Sequence, residues 1–163
     1  MQQIEQQVKD TYYKAYKDAL EKDLNEDKFD WVCKLHSEIV IRLCKIVPRR
    51  SDIHDQIAEN MDPVLFRQML ENKCYKPDDF VKLVNYVFDW IKKLCAPARD
   101  EEVDRSLQEL YTSMKEGATL GKLVPQFIFS VHNQLDNIQG DMDQQKDKIN
   151  ELKKVLYKQW GVL

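Results

Sequence analysis

The sequence has little of what bends a chain. Glycine occurs four times and proline five times in 163 residues, well under the usual combined share of about 12%. A sheet protein with many tight turns needs more of both, so the scarcity favours helices. Charge of one sign is also lacking: 25 basic and 28 acidic side chains leave a net charge of -3. That excludes the strongly basic footprint of a nucleic-acid binder. No run approaches the roughly 20 apolar residues that a membrane span needs, and Met1 to Asp10 has no apolar stretch of the signal-peptide kind. The four cysteines, Cys33, Cys44, Cys74 and Cys95, include no Cys-x-x-Cys pair. They read as small core residues of a reduced, cytoplasmic protein.

The chemistry-bearing motifs are missing too. Cys33 and His36, three apart on a helix, make half a zinc site, and no second close pair completes it. Gly117 and Gly121 are not followed by the Gly-Lys-Ser/Thr of a phosphate loop, and no Gly-x-Ser-x-Gly elbow exists. Asp78-Asp79 and Asp100-Glu101-Glu102 are paired carboxylates, but both stand where helix N-termini favour negative charge. The expectation is a protein that is not an enzyme, with no metal and no other cofactor.

What is present is apolar spacing of three and four residues. It predicts an all-α fold, a single domain over residues 1–163, in a bundle of about six to eight helices. Helices are expected over about Gln2–Asp23, Asp27–Ile46, Ser51–Glu59, Pro63–Glu71, Pro77–Leu94 and Asp100–Glu116. Ser51 or Asp52 can cap the third, and Asp62 with Pro63 starts the fourth. The fifth is apolar nearly all round, which suits the middle of a bundle. The acidic excess is local: residues 1–30 hold five lysines against eight acidic residues. It opposes binding to anionic lipid, so a membrane partner is not expected.

The last segment carries a heptad register through Ile128, Val131, Leu135, Ile138, Met142, Gln145, Ile149, Leu152 and Leu156. Gly140 interrupts the composition but not the register, so one helix over about residues 125–160 is favoured over a hairpin broken there. Such a helix is roughly 50 Å long and can outrun a compact body, leaving apolar surface that calls for a partner. Partner-binding candidates are Ile149, Leu152, Leu156 and Trp160 on this helix, and the corner formed by Arg99, Asp100, Glu101 and Glu102. A homodimer through the C-terminal helix is one way to cover the stripe. Arg49-Arg50-Ser51 makes Ser51 a weak phosphorylation candidate. A second reading is a regulator that binds a small molecule or ion in a bundle pocket near Trp90, Tyr86 and His36.

An ordered series of motifs resembles one family. It runs through Val8-Lys9-Asp10-Thr11-Tyr12, Leu35-His36-Ser37-Glu38-Ile39 and Leu43-Cys44-Lys45-Ile46-Val47-Pro48. It continues with Ile53-His54-Asp55-Gln56-Ile57-Ala58-Glu59, Met61-Asp62-Pro63-Val64-Leu65, Leu83-Val84-Asn85-Tyr86-Val87 and Cys95-Ala96-Pro97-Ala98-Arg99-Asp100-Glu101-Glu102-Val103. This is similar to the T-complex protein eleven family, the T-complex-associated testis-expressed proteins, over roughly residues 5–142, with Asp143 to Leu163 outside the pattern. Beside that family's much longer proteins the chain reads as a shortened member. The resemblance implies an all-helical, non-enzymatic scaffold or regulator. It also implies protein partners in cAMP-dependent kinase signalling or the cytoskeleton.

Overall fold

A computed structural model describes residues 2–161. Seven α-helices follow one another: α1 (Gln2–Asn25), α2 (Asp30–Ile46), α3 (Ser51–Asn60), α4 (Pro63–Glu71), α5 (Pro77–Leu94), α6 (Asp100–Lys115) and α7 (Leu120–Trp160). A 3₁₀ turn, Pro97–Arg99, joins α5 to α6. No strand occurs among the described residues. The all-α bundle with a long last helix is therefore what the molecule has.

Several boundaries lie where the sequence chemistry puts them. The Asp62 carboxylate accepts the Val64 N–H at 2.9 Å and the Leu65 N–H at 3.3 Å, and Pro63 fills the first helical position. Asp79 accepts the Lys76 N–H at 3.0 Å at the start of α5. Ser51 does not cap α3. It is the first helical residue, Arg50 precedes it without a side-chain cap, and Asp52 is taken by Arg50 through bonds of 3.0 and 2.8 Å. That pairing holds the Asp52 carboxyl down at about 2.

Three helices end in the same left-handed motif. Asp27 (φ +57°), Lys73 (φ +54°) and Gly117 (φ +82°) each follow α1, α4 and α6. In each case the N–H of the next residue, three past the helix end, turns back, as Lys28 does to the Asp23 carbonyl at 2.8 Å. These bonds satisfy carbonyls that a helix end leaves open. Because Asp27 takes that conformation, α2 starts at Asp30 and not at Asp27. Asp27 and Lys73 also meet each other as an ion pair of 3.5 Å.

The centre of the bundle is not α5 but the first half of α7. α7 packs on α1, α2, α5 and α6, whereas α5 packs chiefly on α6 and α7. The apolar count of α5 misleads because its Tyr86 and Trp90 are only half-buried. Its buried face is Phe80, Val84, Val87, Phe88 and Ile91. α7 also starts earlier than its proline suggests. Thr119 accepts the Lys122 and Leu123 N–H groups, and Leu123 and Val124 enter the core. That burial outweighs the single backbone bond to Gly121 that Pro125 cannot make. Of the cysteines, all free, Cys33 is buried and Cys44 and Cys95 are half-buried, but Cys74 is exposed just past α4. The reading of four core thiols fails at that one.

α7 continues unbroken through Gly140, 41 residues in all, or roughly 60 Å. A Cβ added at Gly140 would meet nothing within 4 Å. Gly140→Ala is therefore expected to stabilise the helix locally by about 0.5–1 kcal/mol. Amide hydrogen exchange over residues 138–145 should slow. Faster exchange there would mean that α7 bends at Gly140 in solution.

Candidate functional site

The heptad stripe divides at Gly140. Ile128, Val131, Leu135 and Ile138 are at most 3% exposed, while Met142, Ile149, Leu152 and Leu156 are 40–58% exposed. Every residue from 142 to 160 is exposed. These 19 residues form a free length of helix of roughly 28 Å, with Ile149, Leu152, Leu156 and Trp160 all on it. The last is 72% exposed. Four of the eight partner-binding candidates therefore lie on one bare helix.

The Arg99 corner forms the base of that length. The Arg99 guanidinium donates to both Asp141 oxygens at 3.1 and 3.0 Å and to Glu102 at 3.1 Å. This forked pair ties the turn before α6 to α7 at the residue where α7 leaves the body. The geometry needs a planar, two-pronged donor, which Lys does not supply. Arg99 holds the Asp141 carboxyl below its ordinary value, and the two carboxylates raise the guanidinium further. Asp100 accepts the Cys95 thiol at 3.4 Å, and Asp100 and Glu101 are exposed. The corner and the bare helix are thus neighbours joined by one clamp, a pairing across 42 residues that no local pattern announces.

Lysines flank the seam of the bare helix, and Lys154 and Lys158 share the far side with its acids. Taking Met142, Ile149 and Leu156 as position a and Gln145 and Leu152 as position d, the flanking positions are Lys146, Lys148, Val155 and Lys153. The acids Asp143, Asp147 and Glu151 lie on the far side. No lysine of residues 142–160 forms an ion pair among the described residues.

A second feature is a cavity of about 410 Å³ between α2, α4 and α5, with His36, Phe66, Tyr75 and Tyr86 among its walls. The predicted neighbourhood of His36 and Tyr86 is present, but Trp90 is not in it; Lys93 lies over the Trp90 ring at 5.0 Å. His36 is 3% exposed and stacks on Phe66 at 4.2 Å. Burial lowers its pKa to about 4, so the ring is neutral at pH 7. Phe66 and Tyr75 complete the walls, and no local pattern in the sequence marks them as neighbours of His36. Among the described residues no three His, Cys, Asp or Glu side chains converge on a metal position. The thiols of Cys33, Cys44 and Cys95 are pushed up by burial, away from the thiolate form a nucleophile needs.

The His36 shift makes stability depend on pH. Unfolded, the ring takes a proton near 6.5; folded, only near 4. Between those values the unfolded chain binds more protons, so stability is full above about 6.5 and falls as pH drops to about 4. The loss amounts to about 3 kcal/mol. His36→Phe keeps the ring and should flatten that part of the stability–pH curve in urea titrations. An unchanged slope would show that His36 is not the titrating group.

The family model described as T-complex protein 11 matches residues 1–156. The match runs past residue 142, so most of the bare helix lies within the family pattern and not outside it. The T-complex protein 11 homolog of Homo sapiens is 32% identical over 107 residues, 63% of this chain and 20% of that protein. The chain thus spans about a fifth of the length of this curated relative. No solved structure matches.

Proposed function

The chain belongs to the T-complex protein 11 family, and from that premise we propose that it is a non-enzymatic helical adaptor that docks a protein partner on the free length of α7. The observation that carries the reading is the stripe of Ile149, Leu152 and Leu156, uncovered on a continuous helix. Exposed apolar stripes of this kind are helix-docking surfaces.

The lysines at the flanks choose the partner. Two copies paired through this stripe would set Lys148 against Lys153 when parallel. When antiparallel they would set Lys146 against Lys153 in one register, or Lys146 and Lys148 each against itself in the other. Like charges at these positions oppose pairing. The fitting partner is an amphipathic helix with Glu or Asp beside its apolar seam, and a homodimer through this helix is the disfavoured alternative. The setting in cAMP-dependent kinase signalling or cytoskeletal regulation, which the family resemblance implies, belongs to the same proposal. Light scattering of the full chain should give a monomer mass. A helical peptide with Leu at a and d and Glu at the flanks should bind it, and its Lys-flanked counterpart should not. A dimer, or equal binding of both peptides, would overturn the reading.

A further inference from the structure

We infer that the partner helix docked on α7 carries an uncharged side-chain amide, Asn or Gln, opposite Gln145, and that the turn before α6 seats it there. This deepens the docking reading of the free length and rests on it. Two observations carry it: one polar residue inside an apolar seam, and a hollow beside that residue.

Nine seam positions follow one another from Ile128 to Leu156, and Gln145 is the polar one. The four before Met142 are buried in the body, while Met142, Ile149, Leu152 and Leu156 are bare. Gln145 is exposed and stands within the bare seam, between Met142 and Ile149. Gln159, at the next position d, comes after the last apolar layer. A single polar residue inside such a seam fixes the register of the helix that covers it. Covered by Leu, the Gln145 amide would lose its water and gain no hydrogen bond. A facing Asn or Gln supplies both a donor and an acceptor.

Gln145 also lies where a partner meets two walls instead of one. A hollow of about 430 Å³ opens between the Pro97–Arg99 turn and α7, lined by Ala96, Ala98 and Arg99 on one side and by Asp141, Gln145 and Lys148 on the other. The short side chains of Ala96 and Ala98 leave it open. Beyond it the helix stands clear of the body, so a docked residue keeps some water there. At the hollow it is enclosed, and an unmet amide costs most where water is excluded.

The charges at the hollow are already answered. Arg99 donates to Asp141 and to Glu102. Lys148 is one of the flank lysines that meet the acids of the partner. Nothing of either sign is left for the seam residue itself, so a carboxylate or an ammonium there would be desolvated without an opposite charge. Gln144 adds a second amide to the same wall. Neither glutamine pairs with another side chain among the described residues.

The test uses Glu-flanked helical peptides with Leu at every a and d, and two versions in which one central Leu, at a or at d, is Gln. Anisotropy reads their binding to the full chain and to its Gln145→Leu variant, whose fold circular dichroism checks. From the full chain to the variant, the affinity of the all-Leu peptide relative to the better Gln peptide should rise at least roughly tenfold, the worth of about one hydrogen bond. A nitroxide beside the Gln of that peptide should broaden the Ala96 and Ala98 methyl signals of the full chain. An unchanged affinity ratio, or alanine methyls left sharp, would overturn the inference, while binding of the all-Leu peptide would leave the docking reading standing. Failure of every peptide to bind would overturn both.

Discussion

Phe127→Ala is expected to cost about 3–5 kcal/mol of folding stability, against a total of roughly 5–15 kcal/mol for a domain. Phe127 is 1% exposed. Its ring stands edge-to-face on Phe80 at 5.6 Å and tilts against Phe88 at 6.3 Å. It thus joins α7 to the buried face of α5 at two points, Phe80 and Phe88. Truncation leaves a cavity in the middle of the core, where Val124, Ile128 and Val131 on the same helix are themselves buried. Phe129, two residues on, is the control. It is half-buried and touches Tyr13 and Tyr16 at the bundle surface, so its truncation should cost clearly less. Urea unfolding followed by circular dichroism measures both. A Phe127→Ala loss under about 1 kcal/mol would mean that α5 and α7 do not share the core described here.

This prediction could not have been written from the sequence, and the reason is physical. Local signals were legible where a residue acts on its own backbone. Pro63, Pro77 and their neighbouring aspartates marked two helix starts to the residue, because a missing N–H and a capping carboxylate act within one turn. Asp27 and Lys73 were not legible as helix ends, since any signal for a left-handed residue other than glycine is weak. An apolar count ranks α5 over α7 wrongly because it ignores how much of a tyrosine or tryptophan stays in water. The heptad register read correctly as one helix. Where its stripe turns from core to surface depends on the body's width, which no window of the sequence contains. The cavity was half legible: His36 and Tyr86 were named, while Phe66 and Tyr75 arrive from α4 and the segment after it. The sequence sets Arg99 beside its near acids, whereas Asp141, its forked partner, lies a whole helix away.

Replacing Ile149, Leu152 and Leu156 together with Gln is expected to leave the fold intact and to abolish partner binding. The two readouts separate because the three side chains are 40–58% exposed and touch no core. Exposed substitutions shift stability by about 0.5 kcal/mol or less each, and Gln keeps the helix nearly as well as Leu. In a complex each of the three would be buried against a facing helix, a gain of about 1.5–3 kcal/mol apiece. Losing all three should therefore weaken a Glu-flanked helical peptide by at least roughly a hundredfold. The companion variant carries Lys146→Glu, Lys148→Glu and Lys153→Glu with the apolar stripe untouched. It should lose the Glu-flanked peptide and take up the Lys-flanked one, and that exchange should fade at high salt. Steric or structural damage cannot produce such an exchange; only charge at the flanks can. Peptide anisotropy on the full chain, with thermal unfolding alongside, decides the matter. If the Gln variant binds as before, the free length of α7 is not the docking surface. If the Glu variant shows no change in peptide preference, the lysines do not select the partner.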